Sequence, residues 1–296
     1  MKQGFVKVAS ATPRIRVADP VYNAQVICEQ AKEAAEHGAK IVVFPELCIT
    51  GYTCNDLFLQ ELLLEKAKEA LLTIAEETGQ LETLFLVGLP VDKDGRLYNV
   101  AGGLYRGRIL GMIPKKNIPM YAEFYEGRHF TPGEETVTEY RLGKQVIPFG
   151  SNLLFRCEEL PELVLGCELC EDLWVAEPPS TSHALMGATV IANLSASNET
   201  VSKDDYRTLL IKASSARLLC GYIYTSAGEG ESTQDLVFGG HDLIAENGTL
   251  LVQSARFTTG ILYTDLDVLK ISSERRRMGT FGKRPMKPYL TVPFSL

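Results

Sequence analysis

The chain has 296 residues, of which 45% are hydrophobic and 23% are charged, a composition typical of a folded globular protein and unlike a disordered or fibrous one. Its formal net charge of −7 disfavours binding to nucleic acid or to anionic membrane surfaces. No stretch approaches the ~20 apolar residues that a membrane-spanning helix needs, and the seven cysteines have no scaffold-like spacing. We therefore expect a cytoplasmic protein with free thiols and with neither a membrane nor a nucleic-acid partner.

Apolar runs alternate with helical patterns in the first third of the chain. A first strand is predicted at 5–9, and a helix is predicted to begin at Asp19-Pro20, since aspartate is a good N-cap and proline suits the first turn. Gly38 is predicted to end that helix. Three more elements are predicted before residue 90: a buried strand at 41–44, a long helix at 57–77 and a strand at 84–87.

Hairpins follow, and then strands and helices alternate again. A hairpin is predicted from 99–105 and 109–113, and Asn247-Gly248 predicts the type I′ turn of another at 242–253. The aromatic segment 114–133 is irregular, which is typical of a functional loop. The remaining predicted elements are strands at 163–170, 189–194 and 222–227 and helices at 182–187 and 204–219. This mixture favours an α/β sandwich with mixed sheets and outer helices.

Motifs for nucleotide or metal binding are missing from the sequence, which has no phosphate-binding loop, no dinucleotide fingerprint and no paired histidines. Cys167 and Cys170 form a C-x-x-C pair, which is found in redox and zinc sites. Both lie at the end of a predicted strand, where residues three apart point to opposite faces, and this disfavours either use. We expect neither a metal nor a cofactor in this chain.

Three reactive residues each follow a predicted strand, the place where α/β sheets bind ligands. Cys170 is a candidate nucleophile with backbone N–H groups beside it, and the alternative is a buried structural thiol. Glu46 is partly removed from water, which suits a general base, and the alternative is a carboxylate that only accepts hydrogen bonds from backbone amides. Lys115 likewise comes after a predicted strand, at 109–113, and we expect its neighbour Lys116 to face solvent.

These segments together resemble a known family. Pro45-Glu46, Pro114-Lys115 and Cys170-Glu171-Asp172, in this order, resemble the Glu–Lys–Cys triad of the nitrilase superfamily of carbon–nitrogen hydrolases. Within that superfamily the sequence is similar to the glutaminase domains of glutamine-dependent NAD synthetases, from about residue 5 to 277. The blocks that carry this similarity are 45–52, 121–126, 170–174 and 193–198. The resemblance implies a four-layer α-β-β-α sandwich with mixed sheets.

The resemblance also implies a reaction, the hydrolysis of L-glutamine to glutamate and ammonia through a thioester on Cys170. Glu46 is then the base, and Lys115 stabilises the oxyanion and lowers the pKa of the thiol. The residues implied to contact glutamine are Tyr121, Ser197 and Lys203, and with them Glu126, which resembles the second glutamate that orients the lysine. Two rival hypotheses stay open: a stand-alone amidase or carbamoylase, and a scaffold without activity.

The related synthetases carry a second, ATP-pyrophosphatase half with an S-G-G-x-D-S motif, which this sequence lacks. We therefore expect a glutaminase domain at 1–271, followed by an arm or severed linker at 272–296. A stand-alone relative is the alternative. The absent synthetase domain would be the partner that takes the ammonia and uses ATP and deamido-NAD, and the resemblance further implies a homo-oligomer.

Overall fold

A computed structural model describes residues 3–282 and 288–296. Along this part of the chain the strands are β1 (Phe5–Thr12), β2 (Ile41–Val43), β3 (Leu84–Lys93), β4 (Arg96–Tyr105), β5 (Arg108–Pro114), β6 (Thr138–Leu142), β7 (Gln145–Phe149), β8 (Leu153–Cys157), β9 (Val164–Leu169), β10 (Val190–Ser195), β11 (Gly221–Ser226), β12 (Leu243–Glu246), β13 (Thr249–Gln253), β14 (Gly260–Asp267) and β15 (Leu290–Phe294). The helices are α1 (Pro20–Glu36), α2 (Glu61–Glu77), α3 (Pro179–Leu185), α4 (Lys203–Leu218) and α5 (Val268–Arg277).

The strands form two mixed sheets. The first has eight strands in the order β14-β1-β2-β3-β4-β5-β7-β6, and the second has seven in the order β13-β12-β11-β10-β9-β8-β15. In the first sheet β1, β2 and β3 are parallel neighbours, and in the second β9, β10 and β11 are. The carboxyl ends of parallel strands meet at one edge of a sheet, where ligands commonly bind.

The molecule has four layers. Apolar side chains of both sheets, such as Val43 and Leu165, form a shared core between them. The outer face of the first sheet packs against α1 and α2, and that of the second packs against α3 and α4. The α-β-β-α sandwich with mixed sheets is therefore confirmed. None of the helices in the described part of the chain has the length and apolar character required to cross a bilayer.

The start of α1 agrees with its sequence signals. The Asp19 carboxylate accepts a hydrogen bond from the Tyr22 N–H at 3.1 Å, and Pro20 occupies the first turn. Gly38 has a φ of +84°, the left-handed conformation that glycine adopts at little cost after a helix. The buried residues Ile27 and Ala31, one turn apart, face the first sheet.

Several predicted boundaries are wrong; the helix predicted at 182–187, for example, spans Pro179–Leu185. The helix predicted from residue 57 begins at Glu61, because Asn55–Leu59 form a 3-10 turn and Gln60 is extended. The strand predicted to reach Cys170 ends at Leu169, and Cys170 begins another 3-10 turn. Sequence patterns also missed β6, β7, β8, β14 and β15, which are short or only partly buried, and the helix α5.

The end of the described chain packs on the sandwich. The predicted boundary at residue 272 falls inside α5, and β15 pairs in parallel with β8. Phe294 of β15 is 3% exposed and lies in the core between the sheets. Residues 283–287 of the predicted arm lie outside the described residues. Thus α5 and β15 belong to the fold, while the role of this segment as a link to a second domain stays a prediction.

Candidate active site

Glu46, Lys115 and Cys170 come from three different strand ends. Glu46 lies in the turn after β2, Lys115 directly follows β5, and Cys170 directly follows β9. Both Glu46 and Lys115 are fully buried, and Cys170 is 5% exposed. Cys170 has a φ of +41°, a left-handed conformation that is strained for a residue with a side chain. Contacts around the turn must therefore hold it in place.

The Lys115 ammonium binds two carboxylates at once. Its Nζ donates to Glu46 Oε1 at 2.7 Å and to Glu126 Oε1 and Oε2 at 2.6 and 2.8 Å. The structure therefore brings together three of the residues implied by the resemblance. It also places Cys170 near enough for the charges of Glu46 and Lys115 to act on its thiol.

Uncharged donors hold the two carboxylates in place. Asn99 Nδ2 donates to Glu46 Oε1 at 2.7 Å, and the N–H of Ala196 donates to Glu46 Oε2 at 2.9 Å. The Tyr52 hydroxyl donates to Glu126 Oε1 at 2.8 Å. Sequence reasoning gave these three residues no role. Tyr52 and Ala196 lie in blocks that carry the family resemblance, whereas no local pattern singles out Asn99 in the middle of β4.

Lys115 stays protonated despite its burial. Burial alone would lower the pKa of Lys115, but the negative charges of Glu126 and Glu46 outweigh that effect and hold the pKa well above its usual value. Burial raises the pKa of Glu126, and the ammonium of Lys115 opposes this rise. The site thus combines a buried cation with two carboxylates that it binds directly.

Lys115 lowers the pKa of the Cys170 thiol, as expected, but other effects outweigh it. Burial, reinforced by the negative charge of Glu46, raises the pKa of Cys170 well above that of a free thiol, and Lys115 only partly offsets this. The raised pKa favours the neutral thiol over the thiolate at this position.

Asp172 connects the turn of Cys170 to the segment after Lys115. Its carboxylate accepts from the Leu169 N–H at 3.1 Å, from the Asn117 N–H at 2.8 Å and from Asn117 Nδ2 at 2.7 Å. Asp172 is 1% exposed, so water does not compete for these bonds. Cys170 and Lys115 are thereby held in register although they follow strands of different sheets.

The predicted glutamine contacts lie around the same site. Tyr121 is 54% exposed, and its hydroxyl donates to Glu171 Oε2 at 2.9 Å, next to Cys170. Ser197 is 1% exposed and adjoins Ala196, which binds Glu46. The third contact, Lys203, begins α4.

Lys203 faces the site from the start of α4. Its ammonium donates to Asn198 Oδ1 and lies 5.0 Å from the centre of the Trp174 ring. Burial lowers the pKa of Lys203, and the neighbouring Arg207 adds to this, whereas Cys170 and Glu123 oppose it. A cation is therefore held at the rim of the site, where it can meet a carboxylate of a ligand.

A cleft opens beside the buried ion pair. Its cavity volume is about 50 Å³, and it is lined by aromatic and acidic side chains, among them Tyr52, Phe58, Glu123, Glu126 and Phe130. Glu123 also accepts a hydrogen bond from Asn198, which follows Ser197. The cleft therefore leads from the surface to Glu126, whereas Cys170, Ser197 and Lys203 are not among the residues that line it. Within the described ranges, no group of three or more His, Cys, Asp or Glu side chains is arranged to hold a metal ion.

Comparisons with known proteins agree on one family. A family model described as carbon-nitrogen hydrolase matches residues 7–276. The glutamine-dependent NAD(+) synthetase of Mycobacterium tuberculosis is 43% identical over 282 residues, which cover 95% of this chain and 42% of that protein. The synthetase of the same name from Thermotoga maritima is 31% identical over 296 residues, covering 97% of this chain and 47% of that protein.

Solved structures show the same fold. A glutamine-dependent NAD(+) synthetase from Cytophaga hutchinsonii superposes with a TM-score of 0.80 at 28% identity, covering 88% of this chain and 43% of that chain. An amidase from Nesterenkonia has a TM-score of 0.70 at 21% identity over 94% of this chain and 96% of its own, which shows a shared fold. The chain spans less than half the length of the synthetases it matches.

Proposed function

The chain belongs to the carbon–nitrogen hydrolase family, and from this we propose that it hydrolyses the side-chain amide of L-glutamine. In this proposal Cys170 is the nucleophile, Glu46 is the base and Lys115 is the cation that stabilises the oxyanion. The observation that carries the proposal is the buried Lys115 ammonium, held between Glu46 and Glu126 at 2.6–2.8 Å beside the strand end that bears Cys170. A permanent cation in a site with little water suits charge that develops on an amide oxygen.

The first half of the reaction makes a thioester. The Cys170 sulfur attacks the amide carbon while Glu46 takes the thiol proton. A base is needed for this step because the pKa of the thiol is raised. Lys115 and the backbone N–H of Glu171 stabilise the tetrahedral oxyanion. Glu46 then gives its proton to the leaving nitrogen, and ammonia departs.

The second half regenerates the thiol. Glu46 takes a proton from water, which attacks the γ-glutamyl thioester carbon, and the same oxyanion groups act again. Collapse of the tetrahedral intermediate breaks the carbon–sulfur bond, and the sulfur recovers the proton from Glu46. Glutamate then leaves. Glu126 does not react in this scheme; it holds the ammonium of Lys115 in place.

Two kinds of support favour glutamine over other amides. The relatives at 43% and 31% identity are named for their dependence on glutamine. The Lys203 ammonium is held at the rim of the site by Asn198 and Trp174, in a position to pair with the α-carboxylate of the substrate. Tyr121 and Ser197 complete the proposed contacts with the amino-acid head group.

We further propose that the ammonia passes to a synthetase part, which would use ATP to amidate deamido-NAD. The support is that the matched synthetases are more than twice as long as the region shared with this chain. On this proposal the present chain supplies ammonia only.

Release of ammonia and glutamate from glutamine tests the activity, with N-carbamoyl compounds as rival substrates. We expect Cys170→Ala to lose at least about a thousandfold in kcat. Cys167→Ala is the matched control, because Cys167 is 1% exposed and packs in the core between the sheets. The assignment is overturned if Cys170→Ala stays active, or if only Cys167→Ala abolishes turnover in a folded protein.

A further inference from the structure

A buried arginine lies under the segment that carries the proposed glutamine contacts. Residues 196–199 follow β10 and precede α4, and they belong to neither. Ala196 of this segment binds Glu46 through its N–H, and Ser197 is a proposed contact with glutamine. A segment with no helix or strand of its own must be held by other contacts.

Arg207 provides three of those contacts. Its Nη1 donates to Glu199 Oε1 at 2.7 Å, and its Nη2 donates to the Asn198 carbonyl at 3.2 Å and lies 3.4 Å from Ser197 Oγ. Arg207 is fully buried, and Nη1 also lies 3.0 Å from His241 Nδ1. The planar guanidinium thus binds three consecutive residues in one fixed geometry.

The same helix also holds Asn198 from its other side. Lys203, one helical turn before Arg207, donates to the side-chain oxygen of Asn198, whereas Arg207 binds its backbone carbonyl. Asn198 in turn donates to Glu123, which lines the cleft. A shift of the segment would leave a buried guanidinium without its acceptors, which is costly.

We infer that Arg207 is a positioning residue that sets the affinity for glutamine by holding Ser197 and Asn198 in place beside Glu123. This inference rests on the proposed function and deepens it. Arg207 touches neither the sulfur nor the reacting amide in this scheme; it acts through residues 197–199. Its loss therefore affects KM more than kcat.

The test compares Arg207→Lys and Arg207→Met with the wild type in glutamine hydrolysis. Lysine keeps the charge beside Glu199 but cannot donate to all three residues. We expect both variants to raise KM about tenfold and to change kcat less than about threefold. The contacts with the head group of glutamine weaken, whereas Glu46, Lys115 and Cys170 keep their positions. If Arg207→Met does not fold, Arg207→Lys alone decides the outcome.

The matched control is Arg275→Lys. Arg275 is another largely buried arginine, which donates to the Leu219 and Ala188 carbonyls at 2.9 and 2.6 Å near the opposite end of α4. We expect its KM to stay at the wild-type value. An unchanged KM in Arg207→Lys, or an equal rise in Arg275→Lys, overturns the inference.

A second readout separates this inference from the proposed function. A diazo-ketone analogue of glutamine, which alkylates the Cys170 sulfur only when its head group is bound, is expected to label Arg207→Lys more slowly than the wild type. Iodoacetamide, which has no head group, is expected to label both equally. If the wild type neither reacts with the analogue nor hydrolyses glutamine, the proposed function itself fails. If the wild type does both and Arg207→Lys matches it, only the role of Arg207 fails.

Discussion

Cys170 lies in an environment that favours the thiol over the thiolate. The sulfur is buried and faces the negative charge of Glu46, and the single ammonium of Lys115 is already paired with two carboxylates. Such a cysteine reacts slowly with indiscriminate electrophiles, and in the proposed reaction it is activated when Glu46 takes its proton during attack. Burial and the negative charge of Glu46 thus keep the thiol protonated and slow its reaction with electrophiles before substrate binds.

Glu126→Gln tests this charge balance. The substitution removes one negative charge near Cys170, so the pKa of the thiol falls and alkylation by iodoacetamide is expected to become several-fold faster. Glutamine turnover is expected to fall about a hundredfold, because Lys115 loses the carboxylate that orients it. The rate of mass increase on iodoacetamide treatment and the release of glutamate measure the two effects.

Glu135→Gln is the control for that experiment. Glu135 pairs with Lys116, the residue after Lys115, and both side chains of this pair are partly exposed. Surface pairs of this kind contribute little, so neither measurement is expected to change. Slower alkylation of Glu126→Gln in a folded protein, or unchanged turnover, would contradict the assigned role of Glu126.

At the scale of elements, the site is built from turns that join strands of both sheets. Cys170 belongs to the 3-10 turn after β9 in the second sheet, and Lys115 belongs to the segment after β5 in the first. Asp172 accepts hydrogen bonds from backbone groups on either side of this gap. The distance between nucleophile and cation therefore depends on contacts between turns.

Asp172→Ala is expected to weaken this connection. It leaves the buried N–H groups of Leu169 and Asn117 without an acceptor, which costs about 1–3 kcal/mol in the free energy of unfolding. Glutamine turnover is also expected to fall, because the turn that carries Cys170 loses its hydrogen-bonded connection to the segment after Lys115. Urea unfolding and steady-state kinetics measure the two effects. Asp265→Ala, at an exposed aspartate of β14, serves as control, and an equal effect of both substitutions would refute the role of Asp172.

Some helices and strands were predictable from their own sequence, and others were not. The helix α1 was predicted from Asp19, Pro20 and Gly38 because capping depends only on neighbouring residues. The strand β7 was missed because Pro148 and a half-exposed Val146 hide its alternation. The segment β7 is a strand because it pairs with β5 and β6, which are distant from it or separated by a turn.

For the molecule as a whole, the two stacked sheets carry the stability, and the segment after α5 contributes to it. Phe294 of β15 packs in the core between the sheets, with its ring centre 5.8 Å from that of Tyr105. Tyr105 ends β4 of the first sheet, so this contact crosses the sandwich. Burial of an aromatic side chain at such a place strongly favours the folded state.

Phe294→Ala is therefore expected to lower the free energy of unfolding by about 3–5 kcal/mol. Leu290→Ala is the control within the same strand, because Leu290 is 41% exposed, and its effect is expected to stay below about 1 kcal/mol. Urea denaturation followed by circular dichroism compares the two. Equally small effects would show that β15 does not contribute to the stability of the sandwich in solution.

Local sequence was enough to place Glu46 and Lys115 after strands and Cys170 at a strand end, and, through short blocks such as 45–52, to indicate the family. These features depend on residues close together in the chain. The pairing of one ammonium with two carboxylates, and the support from Asn99 or Arg207, emerged only in the folded chain. Such partners lie up to 69 positions apart and meet because turns from different strands converge at the sheet edges. The same convergence buries the sulfur beside net negative charge, which no reading along the chain could have revealed.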